Sequence, residues 1–397
     1  MNKINTTILT VLLPVSLFAA SIFSAGGIGI IDDYAGGRPQ GMSVLGIALE
    51  DSMSSGFLNP ALWSGITTTR FSAGFGISRY YWSEDGQNDL ADDFELESAA
   101  LGFSLKPGLT LGFHFHPVSR KEYRLVESNM VDSVNYTQIL HSKGGLSKGS
   151  AVISLEVTPN IKLGLTAGLL WGSFQDTVKM DFTTSGYYDS EIIFERDAIG
   201  GIYGGGFHTV LKNRLNIGAF CLFPSDLSVD QSLDVHTDSI LTSEYKIRFP
   251  LTAGVGIAVP LSNRVLGSAD YLMRDWDGKR QRIGGTELYH RSHRFGMGIE
   301  IAPTEESLAP FIKRIAYRFG FGFASLYYHS LNDETVKQWN VSYGMGIPLK
   351  DNRARLDLVL SFIKRGDSGT NGISENIYRM SLYINAGEKW FERRKKY

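Results

Sequence analysis

Apolar and polar residues alternate along most of the chain that follows residue 66. From Ile161 to Trp171, isoleucine, leucine, alanine and tryptophan occupy every second position, and mostly lysine, glycine and threonine lie between them. The stretches from Arg314 to Phe323 and from Arg353 to Phe362 show the same division. Because successive side chains of a β-strand point to opposite faces, this period of two predicts strands with one apolar face and one polar or small face.

The alternation recurs in fourteen segments, and the connections between them are of two kinds. Of the six alternate connections, five are short turns rich in Pro, Gly, Asn or Asp and one is a longer link from Pro303 to Pro310. Most of the intervening connections are longer and more polar, such as residues 83–93, 126–135, 175–190 and 225–243. Short turns at one rim and long loops at the other are typical of bacterial outer-membrane barrels. The predicted strands begin near Thr69, Phe94, Leu109, Gly149, Ile161, Glu191, Arg214, Glu244, Arg264, His293, Ile312, Val336, Arg353 and Glu375.

The pattern therefore predicts an all-β fold, a 14-stranded antiparallel transmembrane β-barrel with both chain ends in the periplasm. A soluble β-sandwich would also show alternation, because one face of each sheet is buried and the other is wet. Two features favour the barrel. Aromatic residues gather near the loop ends of the strands, as in Tyr80-Tyr81-Trp82, and glycines are frequent on the face opposite the apolar one.

The first residues have a different pattern. One lysine precedes an apolar run from Ile8 to Phe18, and small residues follow from Ala19 onward. This order is typical of a secretory signal peptide, with cleavage after Ser21 or Ala25. No later stretch approaches the roughly twenty apolar residues that a membrane-spanning helix needs. We therefore expect an exported protein of the outer membrane of a Gram-negative-type cell.

Composition excludes several functions. The formal net charge of -2 gives no reason to expect binding of nucleic acid. The single cysteine, Cys221, excludes an internal disulfide and a cysteine-based zinc site, and it is expected to be a small apolar residue on a strand. His114 and His116 share the predicted luminal face of the third strand, but no third ligand accompanies them. We expect no catalytic residues, no metal site and no cofactor, and hence no enzyme.

The segment between the signal peptide and the first strand, residues 26–66, is apolar in its middle and interrupted by Gly41, Gly46, Gly56 and Pro60. It is too short to form a domain and too apolar to remain in water. A barrel of this strand number has a lumen wider than its own side chains can fill. We therefore expect the segment to fold back into the barrel as a hatch, called the plug from here on.

This segment resembles the N-terminal hatch of the FadL family of outer-membrane transporters for long-chain fatty acids and hydrocarbons. The family pattern is a Gly/Ala-rich run, an acidic pair and Asn-Pro-Ala, which here are Gly41 to Ala48, Glu50-Asp51 and Asn59-Pro60-Ala61. The resemblance covers essentially the whole mature chain. It implies a hatch-gated channel for passive uptake of hydrophobic small molecules. Candidates to line the ligand site are the apolar plug residues Leu45, Leu49, Met53, Phe57 and Leu58.

Two further sets of residues are candidates for function. Arginines on the predicted luminal face either form ion pairs that fix the plug or hold a substrate carboxylate: Arg248, Arg294, Arg314, Arg318, Arg355 and Arg379. The dense glycines Gly204, Gly205 and Gly206 predict a bend or bulge in their strand. By resemblance to the FadL family, such a bend is a candidate lateral opening, although a bend without a role in transport is the alternative.

The sequence divides into a signal peptide (1–25), the plug (26–66), the barrel (67–387) and a basic periplasmic tail (388–397). The expected partners are outer-membrane lipid and a hydrophobic small-molecule ligand. The same architecture also resembles PorV-like barrels, which bind secreted protein cargo. An alternative function is therefore a scaffold for a periplasmic or secreted protein.

Overall fold

The computed structural model describes residues 21–84, 87–131, 134–183, 186–212, 214–235, 239–276, 289–304, 309–330, 334–349 and 353–388. Their wall segments combine into fourteen antiparallel strands. The strands are β1 (Thr69–Glu84), β2 (Gln87–Lys106), β3 (Leu109–Pro117 and Ser119–Val131), β4 (Val134–Thr158), β5 (Ile161–Phe182), β6 (Ser190–Leu211), β7 (Leu215–Pro224 and Asp226–Val235), β8 (Ser239–Arg248 and Leu251–Pro260), β9 (Val265–Asp275), β10 (Ser292–Ile301), β11 (Ala316–His329), β12 (Thr335–Pro348), β13 (Ala354–Gly366) and β14 (Ile373–Glu388).

The barrel closes because β14 pairs with β1, in a register that runs from Ile373 opposite Glu84 to Glu388 opposite Thr69. The predicted fold, a closed antiparallel barrel of fourteen strands, is thus confirmed. We call the rim at residues 107–108 and 159–160 the turn end and the opposite rim the loop end. Short helices lie at Ile22–Ala25, Gly37–Gln40, Pro60–Gly65, Phe311–Arg314 and Ser368–Asn371.

The alternation of the sequence becomes an inner and an outer face of the wall. In β11, Arg318 is buried on the inner face, whereas Phe319, Phe321 and Phe323 point outward and are exposed. Comparable exposed leucine, isoleucine and phenylalanine residues occur on nearly every strand, and together they form an apolar outer band of the kind that suits lipid. Within the described residues, no helix is long and apolar enough to cross a membrane.

The predicted asymmetry of the two rims is only partly correct. The turns at the turn end are short as expected, apart from the link between Ile301 and Ala316 that contains the helix Phe311–Arg314, but the supposed long loops are mostly strand. β1 ends at Glu84 and β2 starts at Gln87, and β4 alone has 25 residues. The prediction failed because consecutive polar residues, such as Asp92-Asp93, obscure the alternation in these extensions.

The plug fills the lumen from one end to the other. Ser21 donates a hydrogen bond to Glu375 near the loop end, at 2.8 Å, and the backbone nitrogen of Ser64 donates one to Ser154 Oγ near the turn end, at 3.0 Å. The expectation that both chain ends lie at the turn end therefore fits Glu388 but not Ser21, the first described residue. The plug also begins before the predicted residue 26, since Ile22–Ala25 is packed inside the barrel. The predicted tail beyond Glu388 and the signal-peptide residues before Ser21 lie outside the described residues.

Candidate functional site

The Asn-Pro-Ala triplet attaches the plug to the wall near the turn end. Asn59 caps the helix Pro60–Gly65, because its side-chain oxygen accepts a hydrogen bond from Ala61 N at 3.0 Å. Its side-chain nitrogen donates to the carbonyl of Ile47 in the plug at 2.8 Å and to that of Phe207 in β6 at 3.0 Å. Asn59 is fully buried, so all its polar atoms find partners inside the protein.

Two glycines of the wall provide the space for this triplet. Gly164 of β5 lies opposite Gly206 of β6 in the sheet register. A Cβ atom at Gly206 would lie 2.1 Å from Asn59 Oδ1, and one at Gly164 would lie 2.3 Å from the carbonyl of Pro60. Glycine is required here because the plug backbone approaches the wall more closely than any side chain permits.

The irregularity predicted for this glycine-rich strand does not lie at Gly204, Gly205 and Gly206 but at Gly200 and Gly201. β5 and β6 keep an uninterrupted register through these residues. The pairing of β6 with β7 is interrupted a few residues away, where Ser225 separates the two parts of β7. Gly206 leaves room for Asn59 inside the lumen. A Cβ at Gly205 would meet no atom closer than 3.5 Å.

A chain of ion pairs joins the plug to β10, β11 and β13. Arg38 of the plug binds Glu300 at 2.6 Å, and Glu300 also accepts Arg318 at 2.7 Å. Arg318 also forms an ion pair with Asp357 at 2.6 Å. Because Glu300, Arg318 and Asp357 are buried, Arg38 is largely so, and each charge is satisfied, the network holds the plug in one position.

The network ends at Asp51 of the plug. Asp357 accepts Arg355 at 2.9 Å, and Arg355 in turn pairs with Asp51. Burial disfavours the charged form of Asp51, but the charges of Arg355 and Arg38 outweigh it, so the pKa of Asp51 lies well below its usual range. The Asp51–Arg355 pair therefore stays charged throughout the physiological pH range.

Four of the six predicted luminal arginines face the lumen. Arg318 and Arg355 belong to the network described above. Arg294 lies 3.7 Å from Asp33 of the plug, and Arg379 lies 3.9 Å from Asp32 of the plug and 3.3 Å from Glu95 of β2. These contacts support the ion-pair interpretation, because each of the four side chains already has a carboxylate partner.

The other two arginines do not face the lumen. Arg248 has 69% of its side chain exposed beside Asp226, because Phe249 and Pro250 interrupt β8 and exchange its inner and outer faces. Ile247 is buried in its place. Arg314 lies in the exposed helix Phe311–Arg314 at the turn end, where its guanidinium sits 5.8 Å from the ring of Phe311. The prediction was wrong at both positions because it assumed unbroken alternation.

The apolar plug residues mostly pack against the plug itself and the wall. Leu45, Leu49, Phe57 and Leu58 are buried, and Met53 is partly buried with its sulfur 3.6 Å from Arg70. None of the five lines the large cavities found among the described residues. Their proposed contact with ligand would therefore require the plug to move.

The wall opens between β2 and β3. Their pairing runs from Lys106 and Leu109 at the turn end up to Ala99 and Phe115, and no register pairing joins the described parts of β2 and β3 beyond that point. The outer part of β3 pairs instead with β4 and with the plug, whose Ile30–Ile31 strand lies opposite Arg120 and Ser119. We call this interruption the wall gap.

A bulge beside the wall gap bends β3 away from β2. Pro117 lies opposite Ser147 and Lys121 lies opposite Gly144, so three residues of β3 oppose two of β4. Gly144 has a φ of 128°, a conformation that favours glycine.

A cavity of about 370 Å³ occupies the wall gap. Its lining includes Asp32 and Tyr34 of the plug and also Phe94 and Leu96, which point outward from β2. The cavity therefore reaches from the plug to the outer surface of the barrel. Arg120 crosses the gap, since it pairs with Glu95 at 3.0 Å and with Asp93, both in β2.

The outer parts of β3 to β8 form a sheet, which we call the canopy, whose inner face carries an aliphatic row next to the charged cluster of Lys121, Asp176 and Arg196. One residue from each of five strands lies in a continuous row across it: Leu125, Leu140, Val178, Ile192 and Val235. All are half-buried and share a face with residues that point into the lumen. The opposite face is mostly polar, with Val126 and Met130 exposed on it. The row begins on β3, at the border of the wall gap, and so an apolar surface leads from the loop end to the gap.

His114 and His116 lie on the luminal face, as expected, with their ring centroids 4.7 Å apart and His114 beside Trp63. Among the described residues, no group of three or more His, Cys, Asp or Glu side chains could hold a metal ion. The two histidines are buried parts of the interface between plug and wall.

Comparison with known proteins gives one family match and several structural matches. A family model described as BamG matches residues 1–217 and 211–397, which together span the chain. No protein of curated function matches in sequence.

Similar solved structures include a Pseudomonas aeruginosa FadL homologue, with a TM-score of 0.59 and 12% identity over 90% of this chain and 99% of that one. The Pseudomonas putida toluene transporter TodX has a TM-score of 0.56 and 13% identity over 84% of this chain and 93% of that one. The Ralstonia pickettii toluene transporter TbuX has a TM-score of 0.53 and 15% identity over 83% and 92% of the two chains. At such identities the likeness establishes a shared fold.

Proposed function

The chain belongs to the BamG family and has the fold of FadL-like barrels, and from this premise we propose that it is an outer-membrane channel for passive uptake of hydrophobic small molecules. Long-chain fatty acids and monoaromatic hydrocarbons are the substrate classes that we favour. The apolar outer band supports a location in the membrane. The filled lumen argues against an open pore for water-soluble solutes, because the plug reaches from Glu375 to Ser154.

The observation that carries this proposal is the wall gap. A continuous barrel wall would prevent an apolar molecule from leaving sideways, whereas the 370 Å³ cavity connects the plug with the outer surface. We infer that a ligand is captured on the inner face of the canopy, moves along its aliphatic row to β3, and leaves through the gap toward the bilayer. Leu140 and Val178 on the canopy and Phe94 and Leu96 at the gap offer the ligand apolar contacts along this route, which favour it over water.

The contacts of the plug support a lateral route over an axial one. Axial passage would break the buried ion pairs of Arg38 and Arg355 and the hydrogen bonds of Asn59. The lateral route requires displacement of Arg120, which is partly exposed, and of the two-residue plug strand Ile30–Ile31. Arg120 has 29% of its side chain exposed, more than Arg38 or Arg355, so solvent screens its ion pairs better and the gap is the more easily opened path.

Photo-crosslinking with a diazirine-labelled fatty acid tests the route. We expect crosslinks at Leu140, Val178 and the residues that line the wall gap, and we expect unlabelled fatty acid to compete for them. Affinity should rise about fourfold for each added methylene, because burying one CH₂ contributes about 0.8 kcal/mol. Labelling spread evenly over the outer band, or recovery of a bound protein in place of ligand, would instead favour the scaffold function.

A further inference from the structure

The plug begins at a buried carboxylate. Glu375 of β14 is fully buried, and its Oε2 lies 3.2 Å from Nη1 of Arg365. Its Oε1 accepts a hydrogen bond from the backbone nitrogen of Ile22 at 2.8 Å. Ser21 is held at the same place, since its hydroxyl donates to Glu375 at 2.8 Å. One oxygen of Glu375 thus faces a cation and the other faces the backbone of the plug.

The residues that follow Ile22 are tightly built into the wall. Phe23 is buried in the large apolar cluster of the lumen, and its carbonyl accepts the hydroxyl of Tyr328. Ser24 exchanges two hydrogen bonds with the backbone of Glu122 in β3, each of 2.9 Å. Removal of Ile22 to Ala25 would leave Glu122, Tyr328 and Glu375 without these partners.

The sequence around this point suits proteolytic processing. Signal peptidases require small residues at the first and third positions before the cleaved bond. Ala19 and Ser21 satisfy this rule for cleavage between Ser21 and Ile22. Cleavage after Ala25, the other predicted position, would place the large Phe23 at the third position and would remove it from its cluster.

We propose that a signal peptidase hydrolyses the Ser21–Ile22 bond, and that the new α-ammonium group of Ile22 forms an ion pair with Glu375. Water supplies the hydroxyl group that leaves with the Ser21 carboxyl and the proton that the Ile22 nitrogen receives. An α-amino group has a pKa of about 7.7 to 8.0 in model peptides, so it is mostly protonated at neutral pH. Each oxygen of Glu375 then faces one cation.

This ion pair links removal of the signal peptide to attachment of the plug at the loop end. In the unprocessed chain, the Ile22 nitrogen is a neutral amide that makes one hydrogen bond with Glu375. After cleavage the same atom is charged, and charge-assisted hydrogen bonds are stronger than neutral ones. The start of the plug is therefore held more strongly at the loop end in the mature protein. The inference rests on the predicted signal peptide and is independent of the transport function.

Two measurements on the protein purified from outer membranes test the proposal. Intact and peptide mass spectrometry should identify Ile22 as the N-terminal residue. An amine-reactive reagent should leave the α-amino group of folded wild-type protein unmodified. In Glu375→Gln it should label that group at least tenfold faster, since the neutral amide no longer holds the ammonium. Glu127→Gln, an exposed position on β3, is the matched control and should behave like the wild type.

Each result decides the question. A mature N-terminus at another residue overturns the cleavage position. An N-terminus at Ile22 that labels equally fast in wild type and Glu375→Gln overturns the ion pair. If Glu375→Gln does not assemble, Arg365→Gln provides a second test: it removes the competing cation, leaves the carboxylate, and should keep the α-amino group protected.

Discussion

Replacement of Gly206 by alanine should loosen the plug without altering the outer surface. The new Cβ would lie 2.1 Å from Asn59 Oδ1 and 2.7 Å from Cδ of Pro60. Backbone contacts on both sides leave Asn59 little room, so it must move away from β6. Its hydrogen bonds to Ala61, Ile47 and Phe207 are then broken or stretched.

The magnitude follows from these three bonds. Each contributes about 1 kcal/mol net, so the seated plug loses about 3 kcal/mol relative to a displaced one. That difference raises the displaced population on the order of a hundredfold. Gly205→Ala is the matched control, because its Cβ would meet no atom within 3.5 Å and alanine is otherwise slightly better than glycine inside a strand.

Ion conductance in planar bilayers measures plug displacement directly. We expect frequent opening events for Gly206→Ala and few for Gly205→Ala or wild type, with the heat-modifiable band of a folded barrel on gels for all three. Equal conductance of Gly206→Ala and Gly205→Ala would refute the inference that Gly206 allows Asn59 to hold the plug against the wall.

Three further predictions concern the gap, the canopy and the ion-pair network. Arg120→Ala should raise the rate of uptake of an apolar substrate about twofold to fivefold by removing a partly exposed pair across the gap, whereas Arg79→Ala on the outer face should not; equal rates would remove Arg120 from the route. Val178→Asp should weaken fatty-acid binding about tenfold by loss of apolar burial, and Lys179→Asp on the other face should leave it unchanged in the same fluorescence titration. Because the pKa of Asp51 is lowered, its ion pair contributes fully to the stability of the folded protein above the unfolded pKa of about 3.9. That contribution is lost only as the pH falls through the lower folded value. Ion conductance should therefore be constant from pH 8 to pH 5, and a rise over that range would contradict the network.

The strands were predictable because alternation survives wherever one face meets lipid. β5 was expected to begin at Ile161 and does so, and β13 begins one residue after the expected Arg353. Alternation failed where a strand is interrupted, as at Phe249 and Pro250, because a local break exchanges the two faces without changing the residue pattern on either side. Arg248 was misplaced for this reason.

The candidate site was less predictable because it depends on pairing. Pro117 and Gly144 are both signals of irregular strands, but the sequence does not show that they lie side by side or that β2 separates from β3 there. The role of Gly206 depends on its contact with Asn59, which also binds the carbonyl of the neighbouring Phe207, 148 residues along the chain. The Asn-Pro-Ala motif could be recognised in the sequence, but its contact with Gly164 and Gly206 of the wall could be seen only in the structure.

Uptake into liposomes that contain the purified protein tests the central claim most directly. Ser147 lines the wall gap, and Ser147→Trp should fill much of its 370 Å³ cavity. Ser173→Trp, exposed on the outer face of β5, is the control. We expect saturable entry of a labelled fatty acid or toluene with wild-type and Ser173→Trp protein, and entry slowed at least fivefold with Ser147→Trp. Entry no faster than into protein-free liposomes, or entry that Ser147→Trp leaves unchanged, would contradict lateral uptake through the gap.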